Sequence, residues 1–167
     1  GLGLGLSLLG LSLHGLPVDI ELTRYDDTRV SLEERGELGA RFGADLVISI
    51  HLNAGADTLH GADAFVWAGD QVAWHVADAI LEAMPREVRS GRNPWYTRQL
   101  PDWTGRARNC IEPHARRGRC AVLVECCYLS AAPDRAFVVT EWGRAAIVGA
   151  IRAGVCRWGA SLPPSAE

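Results

Sequence analysis

Three predicted strands each end on a polar side chain, in chain order Arg24, His51 and Glu125. The carboxyl ends of neighbouring parallel strands meet at one edge of a sheet, so these side chains are predicted to converge. A carboxylate in apolar surroundings has a raised pKa, which suits a general base, and an imidazole is a good metal ligand. The sequence therefore predicts a rim at which a base, an imidazole and a guanidinium meet.

Hydrophobic patterns support these strands. Residues 18–23 alternate apolar and polar side chains, whereas residues 46–50 and 121–124 are β-rich apolar runs, typical of strands buried on both faces of a sheet. Residues 62–67 are predicted to form a further strand. Because helical patterns lie between these segments, the arrangement is typical of an α/β protein.

The helix predictions rest on caps and periodicity. Ser31, with Glu34 three residues later, makes a capping-box pattern, which predicts a helix that runs to about Phe42 and is closed by Gly43. A second helix is predicted over residues 70–84. A last helix of about twenty residues is predicted after the Pro-containing segment near residue 134.

The first sixteen residues are strongly apolar. They lack the positive n-region and the small-residue cleavage site of a signal peptide, and they are shorter than the roughly 20 residues that cross a bilayer. We therefore predict no transmembrane segment here, and a buried amphipathic helix instead. The leucines at helical spacing are Leu2, Leu6, Leu9, Leu13 and Leu16.

Residues 85–118 are rich in Arg, Pro, Gly and Trp and are predicted to be a long loop, with only a short strand near Cys110 and Ile111. Its basic and aromatic side chains suit contacts with glycan faces and peptide carboxylates, and an entirely solvated loop fits the same composition. These side chains are Arg92, Trp95, Tyr96, Arg98, Trp103, Arg106, Arg108, Arg116, Arg117 and Arg119.

The whole pattern predicts an α/β fold, a single three-layer αβα domain with a central, mostly parallel sheet. We place this domain at residues 1–160 and a tail at residues 161–167. The 167 residues, 48% of them hydrophobic, suit one domain with a sizeable core. A net charge of −3 and a pI of about 6.0 argue against a general nucleic-acid binder. As a separate expectation, we predict that the protein is a monomer.

Each candidate side chain also has a structural interpretation. A lone His51 is more often a hydrogen-bonded structural histidine than a ligand, and Glu125 could pair with Arg24 or Arg35. Cys126 near His51 would allow a thiol nucleophile, although a buried structural thiol is the simpler interpretation. Five cysteines without a CxxC pair predict reduced, mostly buried thiols.

Four ordered segments resemble those of the zinc-dependent N-acetylmuramoyl-L-alanine amidases, and the order and spacing of the resemblance hold from about Leu4 to Val155. The most specific likeness is at residues 44–54, ADLVISIHLNA, where the family has the form ADLxISIHxNA. The other segments are residues 22–35 (LTRYDDTRVSLEER), residues 60–67 (HGADAFVW) and residues 123–130 (LVECCYLS).

The resemblance implies a zinc enzyme that hydrolyses the amide between N-acetylmuramic acid and L-alanine of peptidoglycan. Carried over by position, His51 matches the family's second zinc histidine and Glu125 its catalytic glutamate, while Arg24 and Asn53 are expected to bind substrate. Zn²⁺ would be the cofactor, peptidoglycan the partner, and the cell envelope, periplasmic or secreted, the location. In such chemistry zinc polarises the carbonyl and acidifies a water, and the carboxylate takes the proton.

The chain departs from the family pattern at its start. The family's first zinc histidine follows its first strand and its zinc glutamate begins its first helix, so both ligands are expected upstream of Gly1. Residues 1–160 are therefore predicted to lack the first strand and the zinc-ligand loop of the domain. Near the glutamate, Cys127 replaces the usual glycine and Ala131 the usual asparagine.

Two other functions stay open. A catalytically dead relative that binds wall peptides or regulates an active partner would explain the missing ligands, since a catalytic zinc needs about three protein ligands. A different zinc amidohydrolase that acts on a small amide would share the site without turning over wall fragments.

Overall fold

The computed structural model describes residues 12–13, 16–17, 19–89, 97–100 and 106–160. The strands are β1 (Ser12–Leu13), β2 (Leu16–Pro17), β3 (Leu46–Asn53), β4 (Asp63–Trp67), β5 (Thr97–Leu100) and β6 (Cys120–Tyr128). The helices are α1 (Leu32–Phe42), α2 (Gln71–Ala83), α3 (Arg106–Ala115), α4 (Ala132–Val138) and α5 (Glu141–Gly159), with a single 3-10 turn at Arg86–Val88.

The main sheet has the strand order β3-β6-β4-β5. β3 runs parallel to β6 and β4 runs parallel to β5, whereas β4 and β6 are antiparallel. β1 and β2 form a separate antiparallel pair. The prediction of a mostly parallel sheet is confirmed.

Helices cover both faces of the main sheet. The larger core lies under α2 and α5 and includes Ile80 of α2 with Val122 and Val124 of β6. The smaller core lies on the opposite face, where Ile111 of α3 packs with Leu123 of β6, and α1 packs on α3. Two helical layers around one sheet confirm the three-layer αβα prediction.

Helix α1 begins and ends where its sequence predicts. The Ser31 hydroxyl accepts a hydrogen bond from the Glu34 backbone N–H at 3.2 Å, and the Glu34 carboxylate accepts from the Ser31 N–H at 2.7 Å. This reciprocal pair is the capping box. At the other end Gly43 has a φ of 75°, a left-handed conformation that glycine adopts without a steric penalty.

The central strands are confirmed and are longer than predicted. β3 continues past His51 to Asn53, and β6 continues past Glu125 to Tyr128. The prediction that β3 is buried on both faces is wrong, because its side chains are half-buried or exposed. Within the described residues only β6 pairs with it, so no second strand shields its other side.

The prediction of a strand at residues 18–23 is wrong for residues 19–23, which the structure describes. Residues 19–23 pair with no described strand, and Ile20 is 37% exposed. An alternating pattern describes one face of a strand, but a strand forms only where a partner accepts its backbone hydrogen bonds.

The helix predicted for the first sixteen residues is wrong at its carboxyl end. Ser12–Leu13 and Leu16–Pro17 form β1 and β2, and the glycine and proline in this stretch are poor helix formers. Residues 1–11 lie outside the described part of the chain.

The long loop predicted at residues 85–118 is also wrong. This segment contains the 3-10 turn, β5 and α3, and Cys110 and Ile111 lie in α3 and not in a short strand. Pro113 lies inside α3, so the proline was a misleading stop signal, and packing of Ile111 in the smaller core stabilises the helix. Residues 90–96 and 101–105 lie outside the described residues.

The single final helix of the prediction is two helices. α4 ends at Val138, and Thr140 begins α5, where its hydroxyl accepts a hydrogen bond from the Gly143 N–H at 2.9 Å. α5 then runs for 19 residues, and the tail at residues 161–167 is outside the described residues. Among the helices described here, none has the length and apolar character needed to cross a membrane.

Candidate active site

Three polar side chains meet on one face of the sheet. His51 of β3 lies opposite Glu125 of β6 in the parallel pairing, and Asp63 of β4 lies opposite Glu125 in the antiparallel pairing. Because side chains alternate along a strand, all three share the face that carries Leu123 and is covered by α3. The structure thus brings His51 and Glu125 together and adds a second carboxylate beside them.

The environment of Glu125 favours its neutral form. Burial, and after it the negative charge of Asp63, raise the pKa of Glu125 from 4.5 to about 7. Its Oε2 atom is buried and has no hydrogen-bond partner within the described part of the chain. A carboxyl group with this pKa exchanges a proton near neutral pH, which is what a general base must do.

Asp63 is held in place by a network of hydrogen bonds. The Tyr128 hydroxyl donates to Asp63 Oδ2 at 2.6 Å. The backbone N–H groups of Tyr128 and Gly61 both donate to Oδ2 of the fully buried Asp134, at 2.8 and 2.7 Å. The carboxylate beside Glu125 is therefore tied to β6 and, through it, to α4.

A cleft of about 330 Å³ opens beside His51. Its polar lining includes Arg24, Arg35, Cys110 and His114. Arg24 thus shares the cleft with His51, as the sequence predicts, although it comes from an unpaired segment and not from the end of a strand. The guanidinium of Arg35 is anchored, since it donates to the Val30 carbonyl at 3.2 Å and to Thr23 at 3.0 Å.

The two histidines of the cleft are biased towards the neutral form. Burial, and then the charge of Arg35, lower the pKa of His51. Burial, with the charges of Arg117 and Arg35, also lowers the pKa of His114, whose Nδ1 is buried and unpartnered within the described ranges. A neutral imidazole keeps one nitrogen free to accept a hydrogen bond or bind a metal.

Cys110 of α3 faces His51, with its Sγ 3.9 Å from His51 Nε2. Burial and the nearby Glu125 raise the pKa of the Cys110 thiol, which argues against a thiolate nucleophile. Cys126, the other thiol that the sequence allows as a nucleophile beside His51, is 1% exposed, and its Sγ lies 3.9 Å from the Val124 carbonyl. All five cysteines are free thiols, as predicted.

Asn53 lies beside this site and is not part of the cleft lining. Its Oδ1 accepts a hydrogen bond from the Ala54 N–H at 2.9 Å, and its carbonyl accepts from the Leu129 N–H at 2.8 Å. The second of these bonds joins the ends of β3 and β6 just beyond the register irregularity that follows His51.

The donors of the site do not complete a zinc centre. A catalytic zinc takes about three protein ligands, and in the described ranges no three His, Cys, Asp or Glu side chains lie close enough to hold a metal. What the structure places beside His51 is one thiol, with the Glu125 carboxylate on the neighbouring strand.

Sequence reasoning missed Asp63, Tyr128 and Cys110. Asp63 carried a usable signal, because strict alternation from Phe65 puts it on the same face of β4, and a carboxylate there is unusual in a buried strand. Tyr128 and Cys110 carried none, since their roles depend on contacts across strands and on a helix that the sequence did not predict.

One family model matches most of the chain. The model described as N-acetylmuramoyl-L-alanine amidase covers residues 6–157. No curated protein sequence matches the chain.

Solved structures share the fold at low sequence identity. The catalytic domain of CwlV, an N-acetylmuramoyl-L-alanine amidase from Bacillus (Paenibacillus) polymyxa var. colistinus, is similar with a TM-score of 0.68 and 20% identity, over 84% of this chain and 72% of its own. The amidase AmiC2 of Nostoc punctiforme is similar with a TM-score of 0.68 and 22% identity, over 87% of this chain and 73% of its own. The CwlD amidase from Clostridioides difficile, solved in complex with the GerS lipoprotein, is similar with a TM-score of 0.66 and 22% identity. The match covers 83% of this chain and 74% of CwlD.

Proposed function

Because this chain belongs to the N-acetylmuramoyl-L-alanine amidase family, we propose that it hydrolyses the amide bond between N-acetylmuramic acid and L-alanine in peptidoglycan. The observation that carries this proposal is the position of Glu125 directly beside His51 on adjacent parallel strands. Both side chains belong to segments that resemble the family, and together they offer a base beside an imidazole that lines the cleft.

Glu125 carries the proton chemistry in this proposal. With a pKa of about 7 it is substantially ionised at neutral pH, and its buried Oε2 has no hydrogen-bond partner among the described residues. Glu125 takes a proton from the attacking water as the water oxygen bonds to the carbonyl carbon. It then gives that proton to the leaving nitrogen of L-alanine as the C–N bond breaks.

Asp63 has a positioning role in the same scheme. Its negative charge disfavours ionisation of Glu125, so the carboxyl group takes up a proton more readily than an isolated glutamate would. The hydrogen bond from Tyr128 fixes the distance at which this charge acts.

Zinc is the cofactor we propose, with His51 as one of its ligands. A zinc ion would polarise the scissile carbonyl and acidify the attacking water. Since the described donors do not complete a zinc site, the proton steps above are derived from Glu125 alone.

Arg24 and Asn53 are proposed to bind the substrate. Arg24 is 38% exposed in the cleft, and its 3.9 Å contact with Asp27 is long enough to leave the guanidinium able to bind a peptide carboxylate. The Oδ1 of Asn53 is already bonded to the Ala54 N–H, so the amide nitrogen of Asn53 is the group that would donate to a substrate carbonyl.

The open edge of β3 supports the proposed domain organisation. β3 is an eight-residue strand without charged side chains, and in the described residues it pairs on one edge only. Such an edge is a template for a further strand. We propose that the first strand and zinc-ligand loop of the domain lie outside residues 1–160, that the protein is a monomer, and that it acts at the cell envelope, where its substrate is.

The test is digestion of purified peptidoglycan by the chain alone and by the chain with any coding sequence that precedes Gly1 restored. We expect new amino-terminal L-alanine, quantified by labelling of free amines, and loss of this product on chelation with recovery on addition of Zn²⁺. Glu125→Gln is expected to lower the rate by about 10²-fold or more, and the exposed-carboxylate control Glu87→Gln should not.

Each outcome of this assay has a meaning. Binding to peptidoglycan without new L-alanine amino termini would contradict the amidase and favour the catalytically dead relative. Turnover of small amides alone would favour a different amidohydrolase. Release of L-alanine termini that chelation does not affect would contradict the zinc proposal while leaving the bond specificity intact.

A further inference from the structure

The guanidinium of Arg35 is a positive charge without a counter-charge in the cleft beside His51. The side chain is half-buried, and no carboxylate of the described residues, Glu125 included, forms an ion pair with it. A guanidinium keeps its proton at any physiological pH, so partial burial cannot be relieved by loss of the charge. A cation that has lost part of its hydration is stabilised when an anion binds beside it.

The other polar groups of the cleft are cationic or neutral. Arg24 supplies a second guanidinium, and no Asp or Glu from the described ranges lines the cleft. Ser49 adds a neutral hydroxyl group, and the imidazoles of His51 and His114 complete the polar lining together with the Cys110 thiol. Burial, and after it the charge of Arg35, lower the pKa of His51, so the charge of Arg35 is felt at this imidazole. The cleft therefore suits an anionic ligand.

Arg35 is held in one orientation and keeps a donor group free. Its Nε donates to the Val30 carbonyl at 3.2 Å, and its Nη1 donates to Thr23 Oγ1 at 3.0 Å. Its Nη2 has no hydrogen-bond partner in the part of the chain that the structure describes. Because Thr23 precedes Arg24, the second of these bonds also ties the segment that carries the other guanidinium to α1. A donor that is already oriented loses less conformational entropy when it binds a ligand.

We propose that Arg35 and Arg24 together bind a carboxylate of the substrate's peptide, and that they select peptides in which the residue after L-alanine carries a free α-carboxylate instead of an α-amide. The inference rests on the proposed function for the choice of ligand. In the intact substrate the lactyl carboxyl group of N-acetylmuramic acid is part of the scissile amide, so the sugar side carries no negative charge. The anion nearest to the scissile bond therefore belongs to the peptide.

A guanidinium distinguishes a carboxylate from an amide by charge and by the number of acceptors. A carboxylate accepts hydrogen bonds through both oxygens, whereas a primary amide has one oxygen and would turn its own N–H donors towards the arginine. Hydrogen bonds between two charged groups are roughly twice as strong as those between neutral groups. We therefore expect the carboxylate form of a ligand to bind about tenfold more tightly than the amide form.

The experiment is an NMR titration of the isotope-labelled chain with L-alanyl-D-glutamate γ-methylamide and with its α-amide, which differ in one group and lack the bond that the amidase would cleave. The wild type and the control Arg41→Gln, an exposed position of α1, are expected to bind the carboxylate form about tenfold more tightly. In Arg35→Gln this preference should fall to about threefold or less, and Arg24→Gln, which keeps both anchoring bonds of Arg35, should also reduce it. Equal affinities in the wild type, or an unreduced preference in either cleft variant, would overturn the proposal.

A second measurement uses the wild type alone and so does not depend on how a variant folds. The Nε–H signal of Arg35 is expected to shift with the carboxylate form and to stay in place with the amide form. Tighter binding of N-acetylmuramic acid than of the carboxylate peptide would assign the guanidinium groups to the product carboxylate and refute the peptide subsite. Because binding is measured without turnover, a chain that keeps the preference but releases no L-alanine termini from peptidoglycan refutes the amidase proposal alone, and hydrolysis without the preference refutes this one alone.

Discussion

At the residue scale, Glu125 is destabilised in its charged form by two neighbours that act in the same direction. Burial removes water from the carboxylate, and Asp63 places a like charge on the adjoining strand. The folded-state pKa of about 7 lies above the value of 4.5 for an unperturbed glutamate. Ionisation of Glu125 at neutral pH therefore lowers the stability of the folded protein.

Glu125→Gln is expected to stabilise the protein above pH 7 by about 1–2 kcal/mol, a figure reduced because the carboxyl group is partly screened by solvent. Well below pH 4.5 both folded and unfolded states carry the proton, so wild type and variant should be equally stable. Between pH 4.5 and 7 the unfolded state ionises first, and the wild type loses stability as the pH rises.

Urea unfolding at a series of pH values checks this expectation, with Glu87→Gln as the exposed control. A difference between wild type and Glu125→Gln that is the same at every pH would show that burial and Asp63 do not raise the pKa of Glu125.

Asp63→Asn is expected to lower the pKa of Glu125, because it removes the like charge and keeps the shape of the side chain. The acid limb of the kcat/KM profile for peptidoglycan hydrolysis should move to lower pH by roughly half a unit to one unit. The measurement is the pH–rate profile of the two proteins. An acid limb at the same pH in both would show that Asp63 does not raise the pKa of Glu125.

At the scale of elements, the sequence was informative where a signal is local. The capping box at Ser31 and the glycine at position 43 set both ends of α1 through bonds to their own backbone neighbours. α3 was missed because its proline is a local stop signal, whereas the packing of Ile111 that stabilises the helix is not local. The segment at residues 19–23 failed in the opposite way, with a strand pattern and no described partner.

Two glycines of α5 test the packing of this helix on α2. A Cβ on Gly154 would lie 2.8 Å from the Ile80 backbone nitrogen and would also clash with Ile80 Cγ1, whereas a Cβ on Gly149 meets nothing within 4 Å. Gly154→Ala is expected to destabilise the protein by about 1–3 kcal/mol, because the two helices must move apart. Gly149→Ala should stabilise it by about 0.5–1 kcal/mol through helix propensity.

Denaturant melts of the two variants provide the measurement. Because both substitutions are the same chemical change in the same helix, each is the control for the other. Equal effects would show that α2 and α5 are not in close contact at Gly154.

At the scale of the whole molecule, the three-layer fold and the meeting of His51 with Glu125 could be predicted, because both follow from strand patterns and the rule for strand ends. The pairing of Asp63 with Glu125 could not be predicted, because the antiparallel placement of β4 beside β6 cannot be read from periodicity. Cys110 could not be found either, since its contact with His51 spans 59 positions of sequence and requires α3.

The most direct test of the central claim is hydrolysis of one defined disaccharide-peptide fragment of peptidoglycan in water enriched in oxygen-18, followed by mass spectrometry. The account predicts two products from the wild type: a peptide with L-alanine at its amino terminus, and a disaccharide whose N-acetylmuramic acid carboxylate has gained one heavy oxygen. Glu125→Gln should give these products at least about 10²-fold more slowly. Cleavage at any other bond, or equal rates for the two proteins, would contradict the account.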